Sequence, residues 1–296
     1  MTEVQVDGRQ VRLSNLEKVM YPETGFTKAN VVDYYARVGA VMVPHLADRA
    51  ITMVRWPDGV EGGSFFEKRC PDHAPEWIRR TDFDPDLTQC VIDDLPSLVW
   101  AANMASLELH TLQACASKPG VPTAMVFDLD PGPPAGILDC CRVGLELRDV
   151  LADLGLESVV KTSGSKGLHL AVPLNTPRVT ADGTKELALA VGQLLAKRDR
   201  EHVTTNMNKA ERKGKVFVDW SQNDRHKTTV CVYSLRARPR PTVSAPVTWD
   251  EVADAVDAAD DEMLTFEAEE VLERVGEVGD LYAPNLEQKQ KLPKLG

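Results

Sequence analysis

The run Val126-Phe127-Asp128-Leu129-Asp130-Pro131-Gly132 constrains this 296-residue chain more than any other segment. Its apolar residues predict an extended strand, and in a strand residues two apart leave the same face. Asp128 and Asp130 therefore project together, while Phe127 and Leu129 enter a core behind them. Pro131-Gly132 ends the strand and leaves space beside the acids. Neighbouring carboxylates repel, and without a partner one tends to take up a proton. A hard divalent cation removes the conflict, because Mg²⁺ and Mn²⁺ prefer carboxylate and water oxygens. Taken alone, an Asp-x-Asp pair at a strand end reads more readily as turn-capping aspartates.

A second strand, Lys215-Val216-Phe217-Val218-Asp219-Trp220, carries another acid at its exit. With Ser221, Gln222 and Asn223 following, Asp219 alone could be a turn former. Beside Asp128 and Asp130 it completes three carboxylates, enough to hold two cations around a transferring phosphoryl group. Between these strands lies Lys161-Thr162-Ser163-Gly164-Ser165-Lys166-Gly167-Leu168-His169-Leu170. Small residues after a strand let backbone N–H groups approach a phosphate, with hydroxyls and an ammonium in support. The spacing is not that of a Walker A loop, and the chain returns to a strand rather than a helix. His169 alternates away from Leu168 and Leu170, so it is expected to face outward on the polar side.

The pattern mixes strands and helices throughout, giving an α+β (mixed α/β) fold class. Ser14 and Glu17 stand in capping-box spacing and predict a short helix over 14–20. Thr27 caps a second helix reaching Pro44. Strands are expected over 51–56 and 63–68 around Pro57-Asp58-Gly59, and a helix over 96–113 that ends near His110. Helices at about 136–154 and 183–199 frame strands at 159–164 and 168–174. No Pro- or Ser-rich linker divides the chain, which is treated as one domain over 1–283 with a tail at 284–296.

A net charge of −11 argues at first against nucleic acid. Its distribution reverses that reading. Thirteen acids against one base, Arg274, lie between Asp250 and Asp280; that segment carries −12 and the remainder +1. Val252, Val256, Leu264, Val271 and Val275 recur at helical spacing there, so the acids occupy solvated helix faces. Basic clusters fall at Arg79–Arg80, Lys197–Arg200, Lys209–Lys215 and Arg236–Arg240. The six cysteines contain no CxxC pair and are expected as free thiols of a reducing compartment. No apolar run has the length of a membrane span, and the start MTEVQVDGRQ lacks an apolar signal segment. The expectation is a cytoplasmic protein without a membrane partner.

With FDLDPG, TSGSKGLHL and KVFVDWSQN in this order, the chain resembles the archaeo-eukaryotic primase superfamily. Specifically, it resembles the polymerase domain of bacterial ligase D and related stand-alone primase-polymerases. The resemblance runs from LSNLEKVMYP (13–22) to YSLRARPRPTV (233–243). It implies an RRM-like catalytic sheet with flanking helices and a second small sheet lobe, and it takes 249–283 as closing helices. It implies Asp128, Asp130 and Asp219 as catalytic, metal-binding acids with Mn²⁺ or Mg²⁺ in a two-metal site. Ser163, Ser165, Lys166, His169, Gln222 and Arg236 would hold the incoming NTP or dNTP. His110 would sit at its sugar, and Phe66, with Lys68 nearby, would stack on its base. Asn15, Lys18 and Lys28, within 13–30, would bind the 5′-phosphate across a gap or break. The 206–215 run is a candidate contact for the template strand or an opposing end.

The implied activity is template-directed nucleotidyl transfer that fills short gaps or break ends, with ribonucleotides preferred. Gapped or broken DNA, a ligase and an end-binding protein are the implied partners. Without a fused ligase or nuclease module, gap filling is implied more directly than end synapsis. The alternative is a DNA end- or gap-binding module that recruits a ligase, with synthesis secondary. A nuclease using the same acids is the weaker third reading, since it has no triphosphate for Lys166 and Arg236 to hold.

Overall fold

The computed structural model describes residues 1–84 and 86–293, and the fold is α+β. Two compact groups of segments emerge. One comprises Met1–Ser117, Thr228–Ser244 and Phe266–Asp280; the other comprises Lys118–Lys227, Ala245–Thr265 and the chain from Leu281.

The second group is built on a six-stranded sheet in the order Val203–Thr204, Val216–Asp219, Ala124–Pro131, Leu168–Pro173, Val159–Thr162, Pro246–Val247. All neighbours are antiparallel except the first pair. The strand alternation expected from the sequence is met. Phe127, Leu129, Leu168, Leu170 and Val218 are fully buried. Helix Ile137–Asp153 lies on that face: a Cβ placed on Gly144 would touch Leu168, Leu129 and Leu170 at 3.0–3.8 Å. Its buried residues, Cys140, Val143, Gly144, Leu147 and Leu151, recur every third or fourth position. Each large apolar side chain so buried contributes about 1.5–3 kcal/mol. Helix Ala181–Arg198, capped by Thr180, packs Gly192 against Val218. The polar residues of the same strands are left on the opposite face.

In the first group a four-stranded antiparallel sheet runs Thr228–Val230, Ser106–Leu112, Ile51–Arg55, Phe65–Glu67. Helix Lys28–Leu46 begins at Thr27 as expected, with Asn30 completing the capping box, and it accommodates Pro44 in its last turn. The helix expected over 96–113 is only half correct. Helix Leu95–Asn103 is capped by Asp94 and stops where Ala105 takes φ 57. Ser106–Leu112 is then a central strand. Leu107 and Leu109 alternate with Glu108 and His110, a period of two directly after the helix.

Two further expectations are corrected. Residues 14–20 are not a helix: Asn15 has φ 55, the Ser14 N–H donates to Asn103 Oδ1 at 2.9 Å, and Val19–Tyr21 is a strand. The cysteines are not all free. Cys70 and Cys90 form a disulfide, because the Cys70 N–H donates to Thr88 O at 2.8 Å and lays Cys70 beside the Leu87–Cys90 strand. Twenty residues separate the pair, so no local motif announces it. Past 283 the chain forms helix Pro284–Glu287, and Gln290 Nε2 donates to Pro173 O at 2.9 Å; 294–296 lie outside the described residues. The acidic stretch forms the expected helices, Trp249–Ala258 and Ala268–Val278. No helix among the described residues is long and apolar enough to cross a membrane.

Candidate active site

The polar face of the six-stranded sheet carries a row of four side chains in direct register. Asp219 is paired with Asp128, Asp128 with His169, and His169 with Lys161. Directly opposed residues hold their Cβ atoms about 4.5–5.5 Å apart, so the two acids face each other across adjacent strands. The turn after Asp219 locks this arrangement. Asn223 Oδ1 accepts the Val126 N–H at 2.8 Å, and its Nδ2 donates to Val126 O at 2.7 Å. Asp219 Oδ1 accepts from the Ser221 N–H at 2.9 Å and the Ser221 hydroxyl at 2.5 Å. Gln222 Nε2 reaches Asp219 Oδ2 at 3.2 Å and Asp128 Oδ2 at 3.4 Å, bridging the two strands.

His169 lies on the expected face but is buried rather than outward in solvent. Its Nε2 is 3.1 Å from Asp128 Oδ1, and its Nδ1 is 3.1 Å from Lys161 Nζ. An ammonium has only donors to offer, so Nδ1 accepts and the proton sits on Nε2, aimed at Asp128. Lys161 thus sets the tautomer of the residue that orients Asp128. Sequence reasoning missed it as a site residue, although its register with His169 depends only on the tight Ser163–Gly167 turn. Asp130 shares the Asp128 face and is exposed.

Within that turn the Ser163 Oγ accepts N–H groups from Ser165 and Lys166 at 3.2 Å and from Gly167 at 3.0 Å. Ser163 therefore shapes the loop from inside, while Ser165 and Lys166 are exposed on it.

The remaining candidates lie in the other group of segments. Phe66, 65% exposed, stands with its ring 6.4 Å from that of His110 in an edge arrangement. Lys68 is exposed just beyond this strand. Glu108, absent from the sequence-derived site, joins His110 and Arg236. Its Oε2 is 2.9 Å from His110 Nε2, and its Oε1 is 3.1 Å from both Arg236 Nε and the Ala237 N. Burial alone would raise the Glu108 carboxyl, but the His110 hydrogen bond and the Arg236 charge outweigh it and bring it to about 2.

Lys28 is 5% exposed, with its Nζ 3.5 Å from Ser14 Oγ. Burial, then the charges of Arg55 and Lys18, pull its ammonium down to about 8. Lys18 Nζ meets Asp58 Oδ1 at 2.6 Å. Asn15, in its left-handed turn, closes this segment by accepting the Lys18 N–H on its carbonyl at 3.0 Å. Two cations, Arg55 and Lys18, thus act on one buried ammonium, a setting that an anion relieves.

Among the described residues no group of three or more His, Cys, Asp or Glu side chains is arranged to hold a metal ion. The chemistry of the donors nevertheless fits a hard divalent cation: Asp128, Asp130 and Asp219 offer only oxygens, and the Gln222 amide now spans two of them.

Residues 27–282 match the LigD primase-polymerase domain. The chain belongs to that family. It is 46% identical over 280 residues to the multifunctional non-homologous end joining protein LigD of Mycolicibacterium smegmatis, covering 93% of this chain and 36% of that protein. The bifunctional non-homologous end joining protein LigD of Bacillus subtilis is 30% identical over 271 residues, with 91% of this chain and 43% of that protein covered. The polymerase domain from Mycobacterium tuberculosis ligase D, solved in complex with DNA, superposes with a TM-score of 0.86 at 42% identity; 94% of this chain and 98% of that one are covered. The chain thus spans about a third of the length of the mycobacterial LigD protein it matches. The fold expected from the sequence is that of the LigD polymerase domain.

Proposed function

We propose that this chain is a template-directed, metal-dependent nucleotidyltransferase that fills short gaps or break ends bearing a 5′-phosphate and prefers ribonucleotides. The direct register of Asp128 with Asp219 carries the proposal, since it supplies facing carboxylates from two strands. Asp128, Asp130 and Asp219 would hold Mg²⁺ or Mn²⁺, which would supply Lewis-acid activation of a primer 3′-hydroxyl and offset pyrophosphate charge. His169 orients Asp128, and Gln222 steadies the facing pair. Lys166 and Arg236 attract the triphosphate as charged donors. Phe66 offers its exposed face to the base, and His110 contacts the sugar. The partners are DNA, nucleoside triphosphates, a ligase and an end-binding protein, in the cytoplasm. Incorporation on a gapped duplex, with ribo- and deoxynucleotides and each metal, tests this. Labelled DNA cut in the absence of nucleotide would instead favour a nuclease.

The Lys28 cluster favours 5′-phosphate recognition and, with it, the reading as an end-binding module. Lys28 loses its proton earlier in the folded than in the unfolded chain. It therefore costs stability while charged, and that cost fades as pH rises from about 8 to about 10.5. A bound 5′-phosphate compensates the charge. The preference for 5′-phosphorylated over unphosphorylated gaps is expected to be strong near pH 7 and to fall as pH passes about 8. Lys28→Ala should remove both the preference and its pH dependence, read by fluorescence anisotropy. A preference that stays flat through that range would overturn the assignment.

A further inference from the structure

Glu108 lies on the strand Ser106–Leu112 two residues before His110, so both side chains leave the same face of the sheet. Each of its carboxylate oxygens has a different task. Oε1 receives the Ala237 N–H and faces Arg236 Nε, and Oε2 faces His110 Nε2. A carboxylate accepts on both oxygens, so the His110 proton must sit on Nε2. Nδ1 is then the ring atom left to meet a ligand, and no hydrogen bond to it is made among the described residues. A neutral imidazole Nδ1 is an acceptor. It can take the proton of a ribose 2′-hydroxyl, and a deoxyribose has no such proton to give.

We propose that Glu108 is a specificity-determining positioning residue, which selects ribonucleotides by holding His110 in the Nε2-protonated tautomer while anchoring the Arg236-Ala237 backbone and guanidinium. The inference rests on the assignment of His110 to the sugar made above and adds the residue through which that contact becomes selective. Glu108 itself touches no substrate. Phe66, ring to ring with His110, completes the local setting, in which a stacked base and the ring atom Nδ1 share one sheet face.

Glu108→Gln separates this role from simple packing. The Ala237 N–H and the guanidinium can only donate, so the glutamine must turn its carbonyl toward them. Its NH₂ then faces His110 and donates to Nε2, which moves the imidazole proton to Nδ1. The acceptor for the 2′-hydroxyl becomes a donor.

The test has two readouts. ¹⁵N NMR of His110 in the full chain should show Nε2 protonated in the parent and Nδ1 protonated in Glu108→Gln. Single-nucleotide incorporation on a gapped duplex should show the ratio of kcat/KM for ATP over dATP falling about five- to tenfold in the variant, as for one lost hydrogen bond. An unchanged ratio in a folded variant overturns the inference. So does an Nδ1-protonated His110 in the parent, which requires no variant to fold. A parent that uses ATP and dATP equally overturns the assignment of His110 to the sugar, a different result from a parent preference that survives the substitution.

Discussion

Asp219→Ala is expected to lower nucleotide incorporation about a thousandfold or more while leaving DNA binding near the parent level. Asp219 is 7% exposed, faces Asp128 across adjacent strands, and shares the Gln222 amide with it. Removing the carboxylate deletes one side of the facing pair and leaves no group of equal charge to replace it. The alanine also removes the acceptor for the Ser221 N–H and hydroxyl, which hold the turn after the strand. Asp219→Asn resolves the two effects. Its carbonyl retains the Ser221 contacts, so the turn persists, but its charge is gone. Both variants are expected to be inactive, and the alanine to lose the more stability, by about 1–3 kcal/mol for the unpaired groups. Rapid-quench incorporation on a gapped duplex and thermal melts of all three proteins check this. An asparagine variant with parental rate would remove Asp219 from the chemistry.

Gly167→Ala is expected to damage both stability and incorporation through a single added methyl. A Cβ at this position would lie 2.2 Å from Leu129 O and 3.3 Å from its carbonyl carbon. These are backbone atoms of the strand that carries Asp128 and Asp130, so no side chain can swing aside. The Ser163–Gly167 turn must then open or the strand must shift, which disturbs the register of Asp128 with His169. Overpacking of this kind costs about 2–3 kcal/mol, a Tm drop of about 5–10 °C, with incorporation falling further than stability alone explains. Gly276→Ala is the control. It lies in helix Ala268–Val278 with nothing within 4 Å of its Cβ position, so stability should rise by about 0.5–1 kcal/mol. Equal melting of the parent and Gly167→Ala would show that the loop and strand are not packed as described.

Local periodicity carried much of the architecture. The alternation in Val126–Asp130 placed Phe127 and Leu129 inside and the acids outside because side-chain direction in a strand depends on nothing beyond the strand. The same holds for helix Ile137–Asp153, whose apolar stripe is complete in seventeen residues. The motif order FDLDPG, TSGSKGLHL, KVFVDWSQN was sufficient to reach the family. What failed was decided by neighbours distant in the chain. The capping signal at Ser14 lost to the bond its N–H donates to Asn103 Oδ1, and the Ser106–Leu112 strand follows helix Leu95–Asn103 after only two residues. Cys70 found Cys90 through the Thr88 carbonyl. Above all, the pairing of Asp128 with Asp219, 91 residues away in sequence, and the recruitment of Lys161 and Glu108 follow from strand order and register. Hydrogen bonds between strands set those, and a one-residue slip would turn every one of these side chains to the other face.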